Sequence, residues 1–239
     1  MKVDILVFAS HPDDAELSCS GTIARHVKMG RKVGIIDLTR GELGTRGTPE
    51  TREQEAVKAS AILGLSVREN LDMPDGFFDL SREFMIAVAG KVRQYQPEIV
   101  LANAVHDRHP DHGRAAKLVE EACFYSGLKK ISIIAHDGKP LEAWRPKVLY
   151  HYIQSNYLDP DFIVDISGYW DIKINSIMAY SSQFFDPQSD EPETFISNPG
   201  FLHFIEDRCK VWGHMIGTEF GEGFTVNRRI GVRNLFDLI

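Results

Sequence analysis

Three features of the sequence predict an open α/β fold, Rossmann-like, with three layers, a mostly parallel sheet and a more helical C-terminal third. Strand-like and helix-like patterns alternate through the first two-thirds, which implies parallel strands joined by helical crossovers. The first apolar run, Val3–Ala9, is continuous rather than alternating, as in a strand covered on both faces. The final third carries two long helix-like stretches. No internal repeat, low-complexity tract or linker interrupts the chain, so residues 1–239 read as one domain.

The elements follow in order. After the strand at Val3–Ala9, Ala15–Met29 is a helix closed by Gly30. Lys32–Leu38 is a second apolar strand. Thr51–Leu63 is a helix that Gly64 ends, and Ser81–Gln94 is another. Glu98–Ala104 is a buried strand, followed by a helix over Gly113–Tyr125 that stops near Gly127. Val148–Ile153 and Phe162–Asp165 read as later strands. Helices over Asp171–Phe184 and Gly200–Ile216 flank an acid- and proline-rich loop, Asp186–Pro199.

Composition narrows the function. With 43% hydrophobic residues the chain can bury a sizeable core, and a net charge of −7 disfavours nucleic acid or anionic membrane as a partner. No apolar stretch reaches membrane-spanning length. Asp4 interrupts the N-terminal apolar run and no small-residue cleavage site follows, so the start reads as a strand, not a signal peptide. Cys19, Cys123 and Cys209 are too scattered for a disulfide framework and suit a reducing cytoplasm.

Open α/β sheets bind ligands beyond the carboxyl ends of their strands. Three polar loops leave that edge: His11–Asp14, Thr39–Thr48 and Asn103–His112. A glycine-rich phosphate loop is missing, since Gly21 falls inside the first helix. Two constellations stand out instead, His11-Pro12-Asp13-Asp14 and His106-Asp107-Arg108-His109-Pro110-Asp111-His112. Imidazole and carboxylate suit zinc and similar ions, and a catalytic zinc needs about three protein ligands and an open position. His11 and Asp14 can supply two ligands from one turn, and a histidine of the second loop the third. Asp13 then stands free as a base for a water, with His109 on the other side. Helix capping explains either motif alone equally well. Two such motifs on one sheet edge favour a cation.

Together these two motifs resemble the PIG-L/LmbE family of metal-dependent N-acetylglucosaminide deacetylases, along nearly the whole chain. Gly41–Thr48, Arg52-Glu53-Gln54-Glu55, Asp72–Phe78 and Gly217–Phe224 resemble its bacillithiol-pathway branch, which acts on N-acetylglucosaminyl malate. The resemblance implies that His11, Asp14 and His112 bind zinc, with ferrous iron tolerated by the same set. It implies that Asp13 is the general base, that His109 stabilises the tetrahedral intermediate or assists proton transfer, and that Arg52 holds sugar hydroxyls. Glu42, Arg46 and Asp75 lie in loops expected at the mouth, where carboxylates suit sugar hydroxyls. Arg46 or Arg108 could fork onto a malate carboxylate, a reading balanced against plain surface charge. Asp111 is expected to hydrogen-bond a histidine of its own loop. His26, His136, His151, His203 and His214 read as core or surface residues. Phe184-Phe185 and Phe201–Phe204 read as core or subunit interface, because family members are often homo-oligomers, hexamers included.

The leading expectation is a cytoplasmic zinc deacetylase of a small glycoside. The alternatives are a deacetylase of another N-acetylglucosaminide, an amidase of thiol conjugates, or a non-catalytic sugar-binding module. A free carboxylate beside the ligands argues against the last, since binding alone needs no base.

Overall fold

A computed structural model describes residues 1–184, 187 and 190–239. Among these residues one sheet contains β1 (Ile5–Ala9), β2 (Val33–Thr39), β3 (Val67–Met73), β4 (Ile99–Ala102), β5 (Val148–Tyr152), β6 (Phe162–Asp165) and β7 (Gly221–Val226). The strand order is β3-β2-β1-β4-β5-β7-β6. Every pairing from β3 through β5 is parallel; β7 runs antiparallel to both β5 and β6. The helices are α1 (Asp14–Lys28), α2 (Pro49–Leu63), α3 (Arg82–Tyr95), α4 (Pro110–Ser126), α5 (Trp170–Met178) and α6 (Phe201–Met215). This is the three-layer α/β fold that the alternation predicts.

Strand β1 explains the layering. Leu6 and Phe8 pack with Val88, Val92, Leu118 and Val119 of α3 and α4 on one face. Ile5, Val7 and Ala9 pack with Ile23 of α1 and Leu63 of α2 on the other. A run buried on both faces must be apolar throughout. Helix ends obey local chemistry. The Thr48 hydroxyl accepts from the Thr51 amide with Pro49 in the first turn of α2, and Gly64 takes the left-handed conformation that stops it. The chain order reverses between the neighbours β1 and β4, the topological switch where open α/β sheets leave a crevice. The His11–Asp14 and Asn103–His112 loops leave the sheet at this crevice.

Some boundaries differ from the sequence reading. Strands β3 and β7 go beyond the sequence expectation, and α5 ends at Met178 rather than running to Phe184. Phe184 is buried with Phe201, while Phe185 and Asp186 lie outside the described residues. Helix α1 is broken at Cys19 (φ −139°, ψ 16°). Two fully buried charges span the break. Lys173 of α5 donates to the carbonyls of Glu16 and Leu17 at 3.1 and 3.0 Å. Glu222 of β7 accepts from the amides of Gly21 and Thr22 at 3.0 and 2.7 Å, and from Lys173 at 2.8 Å. Backbone groups freed by the break thus find partners, as buried polar groups must.

Cys19, Cys123 and Cys209 are buried free thiols. Among the described residues no helix is long and apolar enough to cross a membrane.

Candidate metal centre and active site

Beyond β1 the chain turns sharply: Asp13 sits at φ 115°, a conformation rare for a non-glycine residue and often tied to function. The turn buries His11, Asp13 and Asp14 together. Across the crevice, His109 caps α4, its Nδ1 accepting from the Asp111 amide at 3.3 Å. His112 lies one turn further on. The ring centroids of His11 and His109 are 4.7 Å apart, those of His109 and His112 5.0 Å, and those of His11 and His112 5.6 Å. Residues about 100 positions apart in sequence therefore meet in one cluster.

Asp14 sits at its centre. Its carboxylate lies 3.4 Å from His11 Nδ1 and 3.1 Å from His112 Nε2. It also accepts from the His11 amide (2.9 Å), Asn103 Nδ2 (3.1 Å) and Gln154 Nε2 (2.9 Å). Burial opposes its charge, yet His112 and His11 hold its pKa well below the usual carboxylate range.

Each outer histidine has its own carboxylates. His112 Nδ1 meets Asp107 Oδ2 at 2.6 Å. Burial disfavours the His112 proton, but Asp14 and Asp107 raise its pKa to about 9. His11 Nε2 meets Asp75 at 3.0 Å and Asp111 at 3.3 Å. Against the cost of burial, Asp111, Asp14 and Asp75 raise the His11 pKa well above its usual value. His109 goes the other way: burial and the charges of His11 and His112 lower its pKa, which favours the neutral imidazole. With Nδ1 accepting from the Asp111 amide, the neutral ring is assigned its proton on Nε2.

This arrangement fits a divalent cation. Ring nitrogens of His11, His109 and His112 lie within 4.8 Å of one another, with Asp14 between two of them. The buried acids gather positive charge here, and a divalent ion would displace the protons on His11 and His112. A second group, His11, Asp75 and Asp111, is equally close. There the acids already accept the amides of Leu43 and Gly76 at 2.9 and 2.8 Å, so they are placed to orient His11.

Asp13 stands beside the cluster. Burial is the main cause that raises its pKa, to about 7, opposed by Arg52 and reinforced by Asp14. Arg52 Nη2 lies 3.1 Å from Asp13 Oδ2 and also donates to the Pro12 carbonyl. These groups line a cavity of about 670 Å³ that also takes in Leu43, Arg46, Phe77, Arg108, Phe195 and the α6 face.

Several residues sit differently from the sequence expectation. The Asp111 carboxylate bonds His11 of the first motif, and only its backbone amide reaches a histidine of its own loop, His109; the carboxylate partner of His112 is Asp107. Asp75 faces His11. Glu42 does not line the cavity; its carboxylate accepts from the Asp75 amide at 2.8 Å and shapes that turn. Arg46 is buried on the cavity wall, with Nε 3.5 Å from Glu191. Arg108 is exposed and stacks 4.1 Å over Phe195. Three residues escape the sequence reading: Asn103, Gln154 and Arg208. Asn103 follows β4 directly and Gln154 is the second residue past β5, and a polar residue just past a buried strand is the available signal.

Comparison with known proteins completes the picture. The family description GlcNAc-PI de-N-acetylase (PIG-L) matches residues 6–123. The chain is 28% identical over 194 residues to a diacetylchitobiose deacetylase of Thermococcus kodakarensis, spanning 75% of this chain and 70% of that protein. It is 28% identical over 194 residues to a 4-oxalmesaconate hydratase of Pseudomonas putida, spanning 74% and 73%. Among solved structures, a conserved protein of Thermus thermophilus superposes with a TM-score of 0.86 at 36% identity, over 97% of this chain and 98% of that one.

Proposed function

We propose that this chain is a de-N-acetylase of the PIG-L kind, the family whose model matches its residues 6–123, and that it hydrolyses the acetamide of N-acetyl-α-D-glucosaminyl L-malate, giving glucosaminyl malate and acetate. One observation carries the reading: a buried carboxylate, Asp13, stands free of the imidazole–Asp14 cluster but beside it, held by Arg52 at the wall of a cavity. Binding alone gives no reason to bury such a group.

His11, Asp14 and His112 would hold the ion, zinc in our reading, with ferrous iron accepting the same donors. Bound there, it would acidify a water and polarise the acetamide carbonyl. Asp13 takes a proton from the attacking water. Arg52 fixes the Asp13 carboxylate through Oδ2 and keeps its pKa from rising further. His109 offers its Nε2 proton to the oxyanion of the tetrahedral intermediate. Asp13 returns the water proton to the amide nitrogen as the C–N bond breaks, and the free amine and acetate depart. Asp107, Asp75 and Asp111 orient the two outer imidazoles.

The malate aglycone rests on the branch motifs and on Arg46 and Arg108 at the cavity. We place the enzyme in the cytoplasm as one domain over residues 1–239, assembled as a homo-oligomer. Relatives named for diacetylchitobiose make a chitin fragment the competing substrate. The relative named as a hydratase favours a second reading, addition of water to a carbon–carbon double bond of an acidic substrate. Acetate release from synthetic N-acetylglucosaminyl malate, diacetylchitobiose and N-acetylglucosamine, with and without chelator, decides among these. Absence of acetate from all three sinks the deacetylase assignment.

A further inference from the structure

Helix α6 turns Phe201, Phe204, Ile205 and Arg208 toward the cavity, a spacing of i, i+3, i+4, i+7 that marks one helical face. Three of these are apolar and one is charged. The Arg208 guanidinium lies over the rings of Phe204 and Trp212 at 5.4 and 5.2 Å. It donates to the carbonyl of Gln154 and, at 3.5 Å, to that of Leu17; its buried Nε has no partner. No carboxylate lies within ion-pair distance of it among the described residues.

Other arginines show how unusual this is. Arg52 faces Asp13 and Arg46 faces Glu191. Arg93 also lacks an acid, but donates to the carbonyls of Ser126, Leu128 and Ile131 at 2.8 Å each and lies outside the cavity. Among the described residues Arg208 alone combines a cavity position, a donor left over and a desolvated charge with no acid at ion-pair distance. Burial lowers its pKa, and the more distant charges of Glu222 and Asp107 oppose that only in part. A buried charge without a counter-ion is costly, and a guanidinium is shaped to take a carboxylate across two oxygens.

We propose that Arg208 is a carboxylate-binding subsite of the reaction cavity. Its neighbour Gln154 also contacts Asp14 and His112, so the bound carboxylate lies close to the cation cluster. Two sources share this chemistry: an acidic aglycone on the substrate, or the acetate that hydrolysis releases. The inference rests on the hydrolase reading above and names what else that cavity binds.

The test compares metal-loaded wild type, Arg208→Gln and Arg208→Lys in two kinetic arms. The first measures kcat/KM for N-acetylglucosaminyl malate against the neutral methyl N-acetylglucosaminide. The second measures inhibition by sodium acetate. An aglycone subsite predicts that Arg208→Gln lowers the acidic-over-neutral selectivity at least about tenfold, mainly through KM. An acetate subsite predicts a rise of at least about tenfold in the acetate inhibition constant with selectivity unchanged. Arg208→Lys retains part of either effect. The proposal is overturned if neither quantity moves, or if all constants fall by one common factor together with metal content; the latter would mean that Arg208 only props Gln154 and Leu17. If wild type releases no acetate from any glycoside, the hydrolase reading fails by itself. Calorimetric titration of sodium acetate into wild type and Arg208→Gln then still decides for or against Arg208.

Discussion

Replacing Glu222 by Gln tests whether the C-terminal strand buckles the helix that carries the site. Glu222 and Lys173 are fully buried and 2.8 Å apart. Glu222 satisfies the amides of Gly21 and Thr22 beyond the Cys19 break, and Lys173 the carbonyls of Glu16 and Leu17 before it. A glutamine keeps one acceptor, brings an NH₂ group against N–H donors, and leaves the Lys173 charge without its counter-ion. Breaking a buried pair from one side costs ~3–5 kcal/mol, much of it from the stranded charge. For a chain of this length that lowers the melting temperature by ~10 °C. Urea unfolding of metal-free protein measures the loss. Lys173→Met is expected to cost a similar amount, and the double variant less than the sum, with a coupling of ~2 kcal/mol. Because α1 begins at Asp14, the surviving folded Glu222→Gln protein should also bind metal more weakly. A cost under ~1 kcal/mol, or strict additivity, would refute the reasoning.

Other outcomes follow from the site itself. His109→Ala keeps the metal, by elemental analysis, while acetate release falls ~10²–10³-fold as the oxyanion loses a donor; loss of the ion would make His109 a ligand instead. Asp107→Asn removes the charged partner of His112 Nδ1 and weakens metal affinity ~10–100-fold in a competition titration. Asp13→Asn abolishes turnover but stabilises the metal-free protein in alkali. The folded Asp13 pKa is raised, from 3.8 to about 7, so its contribution is fully present below 3.8 and lost as pH rises through 7. Its ionisation costs up to ~4 kcal/mol at higher pH, and the variant escapes that cost. Unfolding curves at pH 4 and pH 8 should show the gain at pH 8 alone; a uniform gain would contradict it.

What the sequence revealed follows from which contacts are local. The apolar run of β1 and the motif directly after it are contiguous, so both the strand and the candidate ligands could be read together. The convergence of three polar loops on one sheet edge followed from element order, whereas the reversal between β1 and β4 shows only in the strand pairing. Strand β3 stayed hidden because it reads Val-Arg-Glu-Asn-Leu-Asp-Met. Arg68 is accommodated there by Asp37 and Glu16, pairings that strand periodicity cannot show. In β7 glycines masked the strand signal. A Cβ on Gly221 would sit 2.6 Å from Ile163 and 3.0 Å from the Gly213 nitrogen, so packing against α6 requires the residue that strand propensity disfavours. The partners of His11 were beyond reach for another reason. Asp75 and Asp111 are 64 and 100 positions away, and nothing in their own segments names the imidazole they meet.

The site depends on sheet register more than on any single loop. Asp14 is held from three strand ends: by the His11 amide after β1, by Asn103 after β4 and by Gln154 after β5. Asn103 also accepts from the Ser10 amide at 3.0 Å, and Gln154 accepts from Asn103 at 3.0 Å and the Ala104 amide at 3.1 Å. This polar chain runs across β1, β4 and β5, whose pairing aligns Val7 with Leu101 and Leu101 with Tyr150. A one-residue slip would turn each side chain to the opposite face and break every link at once. Apolar strands buried on both faces resist such a slip, because the slipped register would bury these polar groups without partners. The same core that stabilises the sheet therefore fixes the carboxylate to which His11 and His112 converge, and substitutions in β4 or β5 that disturb pairing should weaken metal binding before they unfold the chain.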